Sequence, residues 1–226
     1  YNEEKNVTKT LNTIISAVNR TKLSFEIVVV DDKSDDLTIE VVKKYIDENI
    51  SQSIILRENK VNLGLGRGYI DTAFFSRGEH YMLVNGDNTE DEEALVKLLN
   101  EVDKADMIIP YFGPNNNDKR HFMRVTISKA FTLVINIISG YKIKYYNGPV
   151  IHKRFNVMRW SPDTHGFAYQ AEIIVKVLDE KGTFREVMID NLIREEGSSK
   201  AFKVRNILAV FHNVLQIFLW RLRKLI

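Results

Sequence analysis

An uninterrupted apolar run at residues 25–30, FEIVVV, constrains the fold more than any other feature of the chain. A run of this kind is typical of a strand that is buried on both faces of a helix-covered parallel sheet. Segments with helical periodicity surround it, and further short apolar runs recur at 53–56, 81–84, 107–110 and 187–193. Strands that alternate with helices in this way predict an α/β fold with a mostly parallel sheet flanked by helices.

Polar side chains follow two of these strands at the point where each strand ends. Asp31 and Asp32 come after the first run, and the sequence NGDN at 85–88 comes after the run that ends at Val84. The carboxyl ends of parallel strands meet at one edge of the sheet, where open α/β folds bind ligands. Carboxylates gathered there need a cation or hydrogen-bond donors, and Mg²⁺ or Mn²⁺ that bridges Asp87 and a substrate diphosphate would meet this need.

Both polar stretches also have a purely structural interpretation. Thr89 and Glu92 have the spacing of a capping box for the helix that follows, and the two aspartates after the first strand can cap a helix as well. The glycines that come next are weak evidence by themselves, because the spacing of Gly64, Gly66 and Gly68 matches neither a dinucleotide fingerprint nor a P-loop. They do permit a ligand to approach the backbone closely.

Composition limits the class of protein. The chain has 226 residues, 44% of them hydrophobic, which suffices for one α/β domain with a substantial core. The absence of cysteine excludes disulfides and thiolate metal sites, and it suits a reducing, cytoplasmic compartment. Residues 201–226 carry five Lys or Arg and no acid, which leaves the rest of the chain near neutral. Because residues 1–200 are near neutral, they argue against a nucleic-acid-binding protein, which needs a broad basic face.

The C-terminal segment 201–226 predicts a basic amphipathic helix. Its apolar side chains recur at steps of four and three: Val204, Leu208, Phe211, Leu215, Phe218 and Leu222. Its uncharged part is shorter than the roughly 20 apolar residues that a membrane span needs. Aromatic residues with flanking cations favour a helix on an anionic membrane surface, peripheral on the inner face of the cytoplasmic membrane. The alternative is a helix that packs on the domain core or pairs with a second copy in a homo-oligomer.

Several motifs, taken in order, resemble one protein family. The chain opens with YNEE at 1–4, continues with VDDKSDD at 30–36 and NLGLG at 62–66, and has an acidic strand end at Asp87. In this order and spacing they resemble the GT-A-type family 2 glycosyltransferases. Further along, GFAYQAE at 166–172 and REEGSSK at 194–200 resemble the dolichol- and polyprenyl-phosphate sugar transferases, the branch of dolichol-phosphate mannose synthase. The resemblance covers about residues 1–200.

The resemblance implies a GT-A domain over residues 1–200, followed by the helix at 201–226. Within the domain, residues 1–111 would bind a nucleotide-diphosphate sugar donor and residues 112–200 a lipid-phosphate or glycan acceptor. The residues that it places around the donor are Tyr1, Glu3, Asp32, Gly64, Gly66, Asn85, Arg120, Arg124 and Ser199. It assigns a divalent metal to Asp87, Asn85 and Thr89, and catalytic roles to Asp87, Glu172, Arg194 and Lys200.

These roles describe an inverting transferase. The resemblance implies that Tyr1 and Glu3 border the nucleotide and that Asp32 contacts the base. It also implies that Arg194 and Lys200 bring positive charge to the diphosphate. Glu172 would serve as general base for a hydroxyl acceptor, whereas a lipid phosphate is already anionic and needs no base.

The chain departs from the family pattern in two places. Asn85 stands where the family has the first aspartate of Asp-x-Asp, so an amide oxygen can ligate a cation there but supplies no charge. The family's first strand ordinarily precedes the YNEE segment, so we expect a further segment before Tyr1.

Two other functions remain open at this point. A sugar-phosphate nucleotidyltransferase is suggested by the glycines between Gly64 and Gly68, although such a glycine loop is expected after the first strand. A catalytically impaired nucleotide-sugar-binding protein is suggested by Asn85.

Overall fold

A computed structural model of the chain describes residues 1–113, 122–162, 169–189 and 204–224. Within these ranges, the side chains at 122–124, 204–207 and 209 lie outside the description.

Helices and strands alternate along most of the chain, as the sequence predicts, but α6 and α7 follow one another without a described strand between them. The helices are α1 (Val7–Thr21), α2 (Thr38–Glu48), α3 (Leu65–Phe75), α4 (Glu92–Leu99), α5 (Phe122–Ser139), α6 (Arg154–Arg159), α7 (Tyr169–Asp179) and α8 (Val204–Arg223). The strands are β1 (Ile27–Asp31), β2 (Ile54–Glu58), β3 (His80–Tyr81), β4 (Met107–Phe112), β5 (Ile151–Lys153) and β6 (Phe184–Ile189).

The described strands form two hydrogen-bonded sheets. β1 and β2 form a parallel pair, and the second sheet has the order β3-β5-β4-β6. In that sheet β4 and β6 are parallel, whereas β5 runs antiparallel to both β3 and β4. The α/β class is as predicted, but the sequence does not predict β5, because a three-residue strand is too short to show a hydrophobic period.

A cavity of about 690 Å³ lies between the two sheets. Its apolar walls include the valines of β1 and residues 82–84, which follow β3. The sequence predicts a strand over 81–84, but residues 82–84 belong to no strand in the structure. Val28, Val29 and Val30 are therefore only partly buried. This corrects the expectation that the apolar run would be fully buried, because α1, α2 and α3 cover β1 but the cavity borders it as well.

The C-terminal helix packs on the domain. α8 lies against α5 and α7, and its residues Asn213 and Ile217 are each 1% exposed. Asp179, the last residue of α7, accepts hydrogen bonds from Tyr141 Oη at 2.9 Å and Trp220 Nε1 at 2.7 Å. It also forms an ion pair with Arg221. One face of α8 is therefore part of the domain core. This agrees with the alternative given in the sequence analysis, a C-terminal helix that packs on the domain.

A second face of α8 is apolar and exposed. We call this surface the outer face. Its side chains are Leu208, Phe211, Leu215, Phe218 and Leu222. None of the helices in the described ranges combines the length and the hydropathy that crossing a bilayer requires.

His152 on β5 is completely buried. Neither ring nitrogen has a hydrogen-bond partner among the described residues. Burial lowers the pKa of His152 to about 3, because a charged imidazolium would lose its hydration there. The side chain is therefore neutral in the folded protein at neutral pH.

We expect His152 to make the protein acid-sensitive. Below about pH 6.5 the unfolded chain binds a proton at this position and the folded protein does not, so stability is lost as the pH falls towards 3. The loss is at most about 1.4 kcal/mol per pH unit. Urea unfolding of wild type and His152→Leu from about pH 7 to about pH 5 measures it. The difference in unfolding free energy between the two proteins should shift in favour of the variant as the pH falls, and a constant difference would contradict the assignment.

Candidate functional site

The polar end of the cavity collects side chains from distant parts of the chain. Residues after β1 meet residues that follow the segment 82–84, and the N-terminal residues lie beside both. Of the residues assigned from the sequence to a donor and metal site, six line this cavity: Tyr1, Glu3, Asp32, Gly64, Asn85 and Asp87. The structure therefore brings together most of the predicted donor site that lies within the described residues.

The N-terminal residues are fastened to the turn after β1. Tyr1 Oη donates a hydrogen bond of 2.6 Å to Asp35 Oδ2, and the backbone N–H of Glu3 donates one of 2.8 Å to Thr38 Oγ1. The Glu3 carboxylate accepts a bond of 3.0 Å from Asn6 Nδ2. These bonds hold Tyr1 and Glu3 at the cavity wall.

Asp32 joins the end of β1 to the loop that follows β2. Its Oδ1 accepts hydrogen bonds from Asn59 Nδ2 at 2.9 Å and from the backbone N–H of Leu63 at 2.8 Å. Its Oδ2 accepts a bond of 2.8 Å from the backbone N–H of Gly64. Both oxygens of Asp32 are therefore engaged within the protein.

Asp31 differs from its neighbour. The residue lies at the cavity wall but is only 2% exposed, and its Oδ2 accepts a bond of 2.9 Å from the backbone N–H of Ser34. Its Oδ1 is buried and has no hydrogen-bond partner among the described residues. This oxygen is therefore too enclosed to face a ligand in the cavity. The sequence analysis placed Asp31 in the acidic cluster but did not assign it to the site.

The glycines occupy different places. Gly64 precedes α3 with a φ of 85°, in the left-handed region that favours glycine, and it lines the cavity. Gly66 lies inside α3 and is buried. The structure therefore brings Gly64 to the site but does not bring Gly66 to the cavity wall.

A hydrogen-bonded turn at residues 85–90, which we call the acidic turn, presents Asp87. Thr89 Oγ1 donates to Asp87 Oδ1 at 2.8 Å and lies 3.4 Å from Glu90 Oε2. Asn85 Nδ2 donates to Glu90 Oε1 at 2.9 Å. The chain reverses at Asn88, whose φ is 53°. Asn85, Asp87 and Thr89, the three predicted metal ligands, therefore belong to one hydrogen-bonded turn.

The structure rejects the capping box as the explanation of this turn. The N-cap of α4 is Asp91, whose side chain accepts a hydrogen bond of 3.1 Å from the backbone N–H of Glu93. Thr89 donates to Asp87 instead of capping a helix with Glu92.

The first helix supports the acidic turn from behind. Thr10 Oγ1 donates a hydrogen bond of 3.0 Å to the carbonyl of Gly86, and Thr13 Oγ1 donates one of 3.2 Å to Asn88 Oδ1. The sequence analysis missed both threonines. Their spacing places them on one face of α1, but no local pattern shows what that face contacts.

Glu90 is a further residue of the turn that the sequence analysis missed. Burial raises its pKa to about 7. The hydrogen bond from Asn85 opposes this rise, and the neighbouring Asp87 carboxylate adds to it.

The donor set of the acidic turn fits a hard divalent cation. Carboxylate, amide and hydroxyl oxygens are the ligands that Mg²⁺ and Mn²⁺ prefer. In the described part of the chain, no group of three or more His, Asp or Glu side chains is arranged to hold a metal by itself. A cation here would therefore share the turn with oxygens of a ligand, as Mg²⁺ often does with substrate phosphates.

Glu172 is placed differently from the prediction. It is 5% exposed, its Oε1 accepts a hydrogen bond of 2.7 Å from Lys176 Nζ, and its Oε2 accepts one of 3.0 Å from Asn213 Nδ2. It joins α7 to α8 and is not part of the lining of the cavity that holds Asp87. The structure therefore does not bring Glu172 together with the donor-site residues.

Several predicted residues cannot be placed. Arg120, Arg194, Ser199 and Lys200 lie outside the described residues, and Arg124 lies in the first turn of α5 with its side chain outside the description.

We expect Glu172 to contribute to stability through its buried ion pair. Glu172→Gln leaves the Lys176 ammonium, which is 16% exposed, without its counter-charge and should lower the free energy of unfolding by about 3 kcal/mol. Urea denaturation measures the change. The matched control is Glu180→Gln, because Glu180 is 39% exposed and its pair with Lys224 should contribute less than about 1 kcal/mol. Equal effects of the two substitutions would contradict the buried ion pair.

Sequence comparison relates the chain to known proteins. The family model described as Glycosyl transferase family 2 matches residues 1–167. A dolichyl-phosphate beta-glucosyltransferase of Dictyostelium discoideum is 29% identical over 191 residues, which cover 77% of this chain and 58% of that protein. The chain spans about half the length of the curated relatives that it matches.

Structural comparison identifies the fold. Mannosyl-3-phosphoglycerate synthase from Rubrobacter xylanophilus has a TM-score of 0.70 and 18% identity, over 99% of this chain and 71% of that one. Glucosyl-3-phosphoglycerate synthase from Mycobacterium tuberculosis, in complex with Mn²⁺, UDP-glucose and phosphoglyceric acid, has a TM-score of 0.65 and 15% identity, over 97% and 76% of the two chains. The likeness shows the GT-A fold, as predicted.

Proposed function

The chain belongs to glycosyl transferase family 2, and on this premise we propose that it is an inverting glycosyltransferase. It would move a sugar from a nucleotide-diphosphate sugar to a polyprenyl phosphate or another membrane-associated lipid or glycan acceptor. The observation that carries the proposal is the polar end of the cavity, which is lined by the aspartates at the end of β1 and by Asn85 and Asp87. The dolichyl-phosphate beta-glucosyltransferases among its relatives support a lipid-phosphate acceptor.

In this proposal the nucleotide lies between the N-terminal residues and the end of β1, bordered by Tyr1 and Glu3. We assign the contact with the base to Asp32, which lines the cavity with Tyr1 and Glu3. Its oxygens also accept hydrogen bonds from the loop that follows β2, so the same carboxylate positions Gly64 beside the donor. Asp31 Oδ1 is too enclosed to take this role.

The diphosphate lies at the acidic turn in this proposal. Asp87, with Asn85 and Thr89, would hold a Mg²⁺ or Mn²⁺ that neutralises charge on the leaving diphosphate. The oxygen donors of the turn support this assignment, and a structural neighbour has been solved with Mn²⁺ and UDP-glucose. Arg194 and Lys200 would add positive charge to the same group.

The reaction is a direct displacement at the anomeric carbon. An acceptor oxygen forms the new bond on the face opposite the leaving nucleoside diphosphate, whose bond to the sugar breaks, so the configuration inverts. A phosphate acceptor is anionic before it arrives and needs no base. The contacts of Glu172 support such an acceptor, because this carboxylate would have to leave Lys176 and Asn213 before it could act as a base.

The acceptor half and the C-terminal helix would face the membrane. The outer face of α8 is apolar, and the neighbouring α5 also leaves Leu133 and Ile137 exposed. Arg223 and Lys224 at the end of α8 are exposed cations. We therefore propose that residues 1–111 bind the donor, residues 112–200 bind the acceptor, and residues 201–226 hold the protein at the inner face of the cytoplasmic membrane.

A thermal-shift panel of UDP-, GDP- and dTDP-sugars tests the donor site. We expect at least one of them to raise the melting temperature in the presence of Mn²⁺, since a ligand at about 100 times its Kd stabilises a protein by about 2.7 kcal/mol. Asp87→Asn should lose the part of the shift that depends on Mn²⁺. No shift with any sugar nucleotide would contradict the proposal.

Product analysis with a polyprenyl phosphate distinguishes the rival functions. A transferase releases a nucleoside diphosphate, and a nucleotidyltransferase releases pyrophosphate. A catalytically impaired protein would bind the donor without turnover.

Liposome flotation tests the membrane surface. Phe211→Glu combined with Phe218→Glu places two charges on the outer face and should reduce flotation with anionic vesicles several-fold. Phe155→Glu is the matched control, because Phe155 is an exposed phenylalanine on α6. Unchanged flotation would contradict membrane contact, and loss of a dimer in the double variant on size-exclusion chromatography would favour the homo-oligomer instead.

A further inference from the structure

Glu90 reaches back across the acidic turn to Asn85. Its Oε1 accepts the hydrogen bond of 2.9 Å from Asn85 Nδ2, five residues earlier in the chain. Its Oε2 lies 3.4 Å from Thr89 Oγ1, the hydroxyl that donates to Asp87. One carboxylate therefore contacts Asn85 and Thr89, the two neutral side chains that the proposed function assigns to a cation.

The contact decides which way the Asn85 amide points. An amide has a donating and an accepting end, and Glu90 accepts through Oε1 in this contact. Glu90 therefore selects the orientation in which Nδ2 faces Glu90 and Oδ1 lies at the opposite end. Only Oδ1 can ligate a cation, because the NH₂ group would direct its hydrogens at the positive charge.

An aspartate at position 85 would not need this help. Both of its oxygens accept, so either end of the carboxylate can face a cation. The need for Glu90 is therefore specific to the asparagine that this chain carries at position 85.

We propose that Glu90 is a positioning residue that holds the Asn85 amide by its Nδ2 and so directs Oδ1 to the cation shared with Asp87. This inference rests on the proposed function, in which the acidic turn binds a divalent cation with the donor diphosphate.

Mn²⁺ titration of the full chain in the presence of UDP, followed by electron paramagnetic resonance, tests the inference without any turnover. Glu90→Gln keeps the size of the side chain, but glutamine can pair with either end of the amide and no longer selects one orientation. We expect Mn²⁺ affinity to fall about tenfold, the usual effect of losing a group that orients a ligand. Glu93→Gln is the matched control, because it removes the same charge from an exposed neighbour and should leave the affinity unchanged.

The decisive comparison repeats Glu90→Gln in an Asn85→Asp background. If Glu90 acts by orienting the amide, adding Glu90→Gln to the Asn85→Asp protein should change its Mn²⁺ affinity by less than about twofold. Tighter Mn²⁺ binding would also agree with the inference, because Glu90→Gln removes a carboxylate close to Asp87 and to the aspartate introduced at position 85. Equal weakening in both backgrounds would overturn the inference, because Glu90 would then act independently of Asn85.

Glu90→Asp separates charge from position and provides a second variant should the glutamine variant fail to fold. It keeps the carboxylate but shortens the side chain, so it should weaken Mn²⁺ binding as Glu90→Gln does. Full affinity in Glu90→Asp would overturn the inference.

Asp87→Asn distinguishes failure of this inference from failure of the proposed function. Loss of Mn²⁺ in Asp87→Asn with no change in Glu90→Gln would overturn the role of Glu90 and leave the cation site intact. Wild-type protein that binds no Mn²⁺ with UDP would overturn both.

Discussion

Packing of the acidic turn against the first helix is the interaction on which the site depends. The turn carries Asp87, and a carboxylate is useful to a ligand only if its position is held. Thr10 and Thr13 on α1 bind the turn from one side, and Thr89 holds Asp87 within it. Acceptor oxygens that are held in this way require little reorganisation when a cation binds.

The opposite wall of the site depends on carboxylates with separate tasks. Asp32 uses both oxygens to hold the loop before α3, whereas Asp31 keeps one buried oxygen without a donor. Asp32 thus holds a loop at the cavity, whereas Asp31 is enclosed at the end of β1. Their separation follows from the alternation of side chains at the end of a strand.

The C-terminal helix combines two surfaces with different chemistry. Toward the domain, Asn213 and Arg221 meet the buried carboxylates of Glu172 and Asp179. Such polar contacts specify how the helix sits, because a shifted helix would leave buried charges unpaired. The outer face is thereby fixed in its orientation relative to the domain, which is what a surface for a membrane or a partner requires.

The amino-acid sequence by itself determined the general succession of helices and strands, the α/β class and the strand end where Asp32 lies, because these follow from local hydrophobic periods and from motif order. It could not show β5, the burial of Gly66 within α3, or the cavity beside β1. Only the tertiary structure decided that Glu172 joins two helices, that Asp31 has an oxygen without a donor, and that Glu90 turns back to Asn85. The physical reason is that hydrogen-bond partners are set by proximity in space, and periodicity carries no information about which side chains meet.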